Sequence, residues 1–252
     1  MLKKELEREI TTRCKDIGFK KKKYYNFYKP INESIYATLG FGMATLVDKG
    51  HIYVNVTVGL FFKTVEDVYM QLTGYNSFEI MQPTIGRQLG YLMPEETFKQ
   101  WDFAENADNI FLFEDLFMNI KTYGFPYQQM MSNFDRLFDA FEKRERGILN
   151  IGRDRYLPIL YYLKGDKQKG EEVIKTAIER QGNPISDQEL KKGFNRNSVL
   201  LRAGSGSKLD SKDFDKLLKD LPSGDSIIMV GSGVGKVSPE YWEFAEKYKL
   251  LE

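Results

Sequence analysis

One cysteine and one histidine are all that 252 residues offer to thiol and metal chemistry. Cys14 alone can neither close a disulfide within the chain nor build a cysteine zinc site. A single His51 excludes His–His metal pairs, the HExxH zinc helix and any mechanism that needs two histidines. No GxSxG-type nucleophile motif accompanies it, and its place just after a turn reads as an exposed strand edge. The expectation is a chain without metal or cofactor that is not an enzyme. An excess of charge is missing too. Lys and Arg total 37 against 36 Asp and Glu, a formal charge of +1. No global field therefore draws the chain toward nucleic acid or an anionic membrane. No run approaches the ~18 apolar residues of a spanning helix, and the charged opening MLKKELEREI holds no apolar leader core. A reducing compartment, most simply the cytoplasm, is the expected location.

What is present is an ordinary globular mixture, 42% hydrophobic and 29% charged, long enough for one large domain or two small ones. Leu2, Leu6, Ile10 and Ile17 recur at near-helical spacing, and Gly18 supplies a stop. FKKKKYYNFYKP reads as a strand ending at Pro30. Residues 34–47 and 51–62 then alternate apolar and polar with a period of two. Ile35, Ala37, Leu39, Phe41, Met43 and Val47 share one face, as do Ile52, Val54, Val56, Val58, Leu60 and Phe62. Asp48, Lys49 and Gly50 lie between them as turn residues, which predicts a β-hairpin with one buried face. Thr64 can cap a helix to about Leu72, and 84–92 reads as a further strand. Pro94 can open a short helix containing Phe98 and Trp101.

From Ile110 onward Phe113, Leu116, Phe117 and Ile120 make a helical stripe that Gly124-Phe125-Pro126 should break. A second helix is expected from Tyr127 to about Arg146. Two shorter helices, 153–163 and 169–181, flank Lys164-Gly165-Asp166 and resemble a single tetratricopeptide-type unit. Ser186 and Glu189 have capping-box spacing. The tail carries a weak repeat: SVLLRAGSGSK from Ser198 matches SIIMVGSGVGK from Ser226, about 28 residues on. Two β-loop-α units at that distance can set two strands side by side. The predicted architecture is α+β: an antiparallel sheet with covering helices in 1–150, a helical hairpin in 151–182, and a small β-loop-α repeat in 183–252.

Three stretches carry candidate chemistry. Gly231, Ser232, Gly233, Gly235 and Lys236 suggest a phosphate loop. A Walker A motif needs GxxxxGK[ST], but Gly231 and Gly235 are one residue too close, and Val237 stands where the magnesium-binding hydroxyl belongs. Two readings stay open: anion contact by loop N–H groups at a helix start, or glycines that only permit tight turns. Lys20 to Lys23 followed by Tyr24, Tyr25 and Tyr28 could grip single-stranded nucleic acid or form a charged sheet edge. Asp102, Glu105, Asp108, Glu114 and Asp115, beside Trp101, contain no basic residue. Their spacing fits no metal loop; they suit a solvated or partner-facing surface.

The helix, the Gly-Phe-Lys-Lys step in LKKELEREITTRCKDIGFKKKKYYNFYK, and the strand HIYVNVTVGLFF carry a resemblance. Through about residue 145 the chain resembles an uncharacterised bacterial domain family of the kind found among toxin-immunity genes. The resemblance implies a non-enzymatic protein that blocks a partner toxin by binding it, and offers no catalytic motif. Charge segregation agrees: residues 1–30 hold ten Lys or Arg against four Asp or Glu, while 102–115 is purely acidic. The expected partner surface is Tyr24, Tyr25, Tyr28, Trp101, Asp102 and Glu105. A protein partner is expected before nucleic acid, and a membrane not at all. Nucleotide or nucleic-acid binding through the glycine-rich loops is the alternative.

Overall fold

The computed structural model describes residues 2–45, 49–73, 76–145, 150–182, 198–202 and 226–230. The chain divides into two compact units, Met1–Gly170 and Glu171–Glu252. The first is an antiparallel sheet with helices on it, so the protein is α+β.

Helix α1 (Leu2–Asp16) buries Leu2, Leu6, Ile10 and Cys14, one residue every fourth position. It stops where Gly18 takes φ +87°, a conformation that costs glycine little. Burial pushes the Cys14 thiol well above its ordinary range, so it behaves as a small apolar side chain. The long hairpin joins β3 (Ile35–Ala44) to β4 (His51–Phe62) in register from Ile35↔Phe62 to Ala44↔Tyr53. Leu39, Val54, Val56, Val58 and Leu60 are fully buried, as the alternation requires.

The lysine run departs from expectation. It is not one strand but a small hairpin of β1 (Lys20–Lys21) and β2 (Asn26–Pro30), with Lys21 opposite Phe27. Tyr24 and Tyr25 turn the chain at φ 57° and 71°, a left-handed pair that no alternation pattern announces. Strand β4 is central. Strand β3 pairs with one edge, while β5 (Ile85–Gln88) and β6 (Trp101–Ala104) share the other, end to end. The strand expected over 84–92 closes at Gln88 into a 3-10 turn, Leu89–Tyr91. The helix expected after Pro94 is instead β6: Trp101 and Phe103 are buried and Asp102 is exposed, a two-residue period. Short β5 leaves the His51–Val54 half of β4 unpaired, and β6 satisfies it.

Helices cover one face. After α2 (Lys63–Thr73), α3 (Ile110–Asn119) sets Phe113 on Phe103 at 4.7 Å and Phe117 on Phe41 at 6.2 Å. The break expected at Gly124 is absent. Ile120–Gly124 forms a π-turn in which the Phe125 N–H reaches back to the Ile120 carbonyl, and α4 (Phe125–Met131) follows directly. Pro126 is tolerated because it falls in the first turn of α4. The chain breaks later, at Asn133. Its side chain accepts hydrogen bonds from the Asp135 and Arg136 N–H groups and starts α5 (Phe134–Glu142). Gln128 of α4 donates to the Thr38 and Gly59 carbonyls, tying the helix layer to the middle of the sheet.

Helix α6 (Asn150–Leu163) packs Tyr156 on Tyr69 and Phe141, and Tyr161 on Phe138. Gly165, φ +81°, turns the chain toward α7 (Lys167–Gly182). In the second unit β7 (Ser198–Arg202) and β8 (Ser226–Val230) pair in parallel from Ser198↔Ser226 to Arg202↔Val230. The helices expected in that repeat, the Ser186–Glu189 capping box and Asp48 of the turn lie outside the described residues.

Candidate functional site

The two halves of the expected partner surface are separated. Tyr24, Tyr25 and Tyr28 belong to the β1–β2 hairpin at one edge of the sheet. Trp101 and Asp102 lie on β6, beyond β3 and β4. Of the tyrosines only Tyr24 is widely exposed, at 76%. The Tyr25 hydroxyl donates to the Glu7 carboxylate of α1. Tyr28 packs edge-on against Tyr36. The lysines serve this hairpin too: Lys21 sits over the Tyr25 ring, Lys22 over Tyr28, and Lys23 pairs with Glu79.

Trp101 offers no surface. It is 2% exposed, and its indole N–H donates to Asp115 at 2.7 Å, under α3. This corrects its expected role as an interface anchor. Asp102 is exposed and its carboxylate accepts from His51 Nδ1 at 2.8 Å, so the single histidine spends a ring nitrogen at the sheet edge. Glu105 follows β6 in the loop that leads to α3, and its N–H bonds the Gly50 carbonyl. Asp108 accepts from the Ile110 N–H at 3.0 Å, one residue before the N-cap Asn109 of α3. The acidic stretch is therefore the entry to α3. Gly231, Ser232, Gly233, Gly235 and Lys236 lie outside the described residues. The residues they continue from, Arg202 in the first repeat and Val230 in the second, end β7 and β8 side by side.

The most distinctive surface is the outer side of α3. In IFLFEDLFMN, Phe113, Leu116 and Phe117 face the sheet, and the outer side carries Ile110, Phe111 and Met118 around the carboxylates of Glu114 and Asp115. Ile110, Phe111 and Met118 are 63%, 78% and 63% exposed. Beside this surface a groove of about 240 Å³ runs between α1 and α3, where the charged Arg13, Asp16, Glu114 and Lys121 line it together with Ile17, Phe117 and Met118. Arg13 crosses it to Glu114 at 2.7 Å while also bonding Glu9, and its guanidinium lies over the Phe113 and Phe117 rings. Burial would lower the Arg13 pKa, but bonds to Glu114 and Glu9 raise it overall. The Arg13–Glu114 pair ties α1 to α3 across this mixed polar and apolar groove. The inner stripe of α3 was legible as a core signal. The outer apolar residues carried a signal as well: Ile110, Phe111 and Met118 fall off that inner stripe.

A second polar centre is enclosed. Glu66 of α2 is fully buried, accepts from Thr84 Oγ1 at 2.6 Å, and has no cationic partner among the described residues. Thr84 in turn accepts the Phe62 N–H. Burial pushes the Glu66 carboxyl up, only partly offset by hydroxyls of Thr84, Ser77 and Tyr156. Sealed from solvent, the carboxyl acts as a structural bridge between α2 and the approach to β5. Among the described residues no group of three or more His, Cys, Asp or Glu could hold a metal ion, and no helix is long and apolar enough to cross a membrane.

Comparison of the chain with protein-family models, with curated proteins and with solved structures finds no match in any of the three.

Proposed function

We propose that the protein is a non-enzymatic protein-binding module that engages its partner through the outer side of α3. The observation that carries this reading is the exposure of Ile110, Phe111 and Met118 on the outer side of α3, around Glu114 and Asp115. Clustered large apolar side chains with a charged border are the composition of an interface centre. The border is asymmetric: Glu105 and Asp108 stand at the start of α3, Lys121 just past its end. The partner should therefore present an apolar pocket with a basic group toward the Phe111 end. The partner class that the N-terminal resemblance implies is a toxin, neutralised by occlusion.

The test is recovery of the tagged full chain from its source cell, beside the Phe111→Asp variant. The reading expects one stoichiometric protein with the natural chain and its loss with the variant. Equal recovery by both, or a bare natural chain at every expression level, would count against it.

Phosphate binding is the second reading, favoured by one observation: the parallel pairing that ends β7 and β8 together, where both glycine-rich sequences continue. Lys236→Ala should then weaken nucleotide or nucleic-acid binding and flatten its salt dependence, while leaving recovery of the α3 partner unchanged.

A further inference from the structure

A cleft of about 300 Å³ opens at the outer edge of β5, between that strand and α4. Arg87 forms one wall. It pairs with Val58, so the alternation of the sheet directs it to the helix-covered face, where Val58 is fully buried. A cation there needs a counter-charge, yet among the described residues Arg87 has no ion pair and no hydrogen bond. The opposite wall is the π-turn and α4. It brings Thr122, Tyr123 and Tyr127 to the cleft, and their hydroxyls likewise have no hydrogen-bond partner among the described residues. The π-turn is what places two of them: its wider ring adds a residue to the helix path, and such turns recur at functional sites.

The charge balance is favourable to an anion. Arg136 and Glu145 also line the cleft, but they satisfy each other through two parallel bonds of 2.5 and 2.6 Å. Their charges cancel, and Arg87 leaves the cleft with a net positive charge. Burial pushes the Tyr127 hydroxyl up to about 12, against the pull of Arg87 and Arg136, so it stays a proton donor at neutral pH. The rest of the lining is apolar: Leu92, Pro126 and Met130. The volume stands at the small end of ligand clefts, room for one compact molecule.

We propose that this cleft binds a small organic anion, a carboxylate or phosphate monoester whose charged end meets Arg87 and the tyrosine hydroxyls and whose apolar end rests on Leu92 and Met130. A guanidinium suits both oxyanions because its parallel N–H groups match two oxygens at once. The site is independent of the outer side of α3.

The test uses the natural full chain and the guanidine reagent phenylglyoxal, with modified arginines located by mass spectrometry. Benzoate and phenyl phosphate are the probes. Benzamide is the neutral control, and chloride at matched ionic strength controls for screening. The expected result is that benzoate or phenyl phosphate slows modification of Arg87 while benzamide and chloride do not; the stronger of the two names the oxyanion. Calorimetry with the more protective probe should show binding about tenfold weaker in Arg87→Gln, the loss of a charge-assisted pair, with Arg87→Lys between the two. Should Arg87→Gln not fold, the protection experiment on the natural chain decides alone. Equal modification of Arg87 under all four conditions would overturn the proposal. It would make Arg87 an inward charge that only keeps an edge strand from pairing. Unchanged probe affinity in folded Arg87→Gln would overturn it equally.

Discussion

Glu66 shows how a single buried carboxyl can set the pH response of the fold. Its pKa is raised above 4.5 by burial, so the folded chain holds this proton to higher pH than the unfolded chain does. Its contribution is therefore most favourable below 4.5 and is lost as pH rises through the folded pKa. Glu66→Gln should remove that loss: denaturant midpoints of variant and natural chain should diverge as pH rises above 4.5, with the variant the more stable at neutral pH. A parallel pair of curves would contradict this. Gly59 makes a different residue-scale prediction. A Cβ there would lie 2.5 Å from Pro83 Cβ and 2.7 Å from the Ile85 carbonyl. Gly59→Ala should cost about 1–3 kcal/mol of unfolding free energy, the usual range for overpacking. Phe111→Asp, by contrast, changes a side chain that is 78% exposed, and should shift stability by no more than about 0.5 kcal/mol.

At the scale of elements, the join between α4 and α5 depends on one cap. Asn133→Ala removes the acceptor of two N–H groups, at 2.8 and 3.1 Å. It should lower unfolding free energy by about 1 kcal/mol, measured by urea titration. The join between α3 and α4 shows where sequence periodicity reaches its limit. The β3–β4 hairpin was legible because a two-residue alternation over ten and twelve residues has no helical competitor. The stripe of α1 was legible because its apolar residues recur every fourth position over fifteen residues. Gly124-Phe125-Pro126 looked like a stop because proline usually ends a helix. The π-turn before it is set by packing, with Gly124 close against Val58, and such a fit is invisible to spacing. Strand β6 was missed because four residues give only two periods, and Pro94 supplied a stronger local cue. The turn at Tyr24 and Tyr25 defeats sequence reasoning outright, since tyrosine carries no preference for positive φ. Arg87 was unmarked in the sequence: its interest arises from pairing with Val58 and from the helix opposite.

The whole molecule presents a contrast between its two surfaces of interest. The tyrosine hairpin and the acidic entry to α3 were expected to act together, and two strands stand between them. What the fold does assemble is continuous: Glu105 and Asp108 lead into Ile110, Phe111 and Met118, with the α1–α3 groove alongside. If that surface is the interface, the partner's contribution should concentrate on a few apolar anchors and be lost when one is charged. The most direct measurement is the mass of the assembly recovered under native conditions from the source cell, for the natural chain and for Phe111→Asp side by side. The account predicts a defined complex larger than the 29.3 kDa chain for the natural protein and the bare chain for the variant, both equally stable to denaturant. A natural chain recovered only at its own mass, or a complex that survives Phe111→Asp intact, would contradict it.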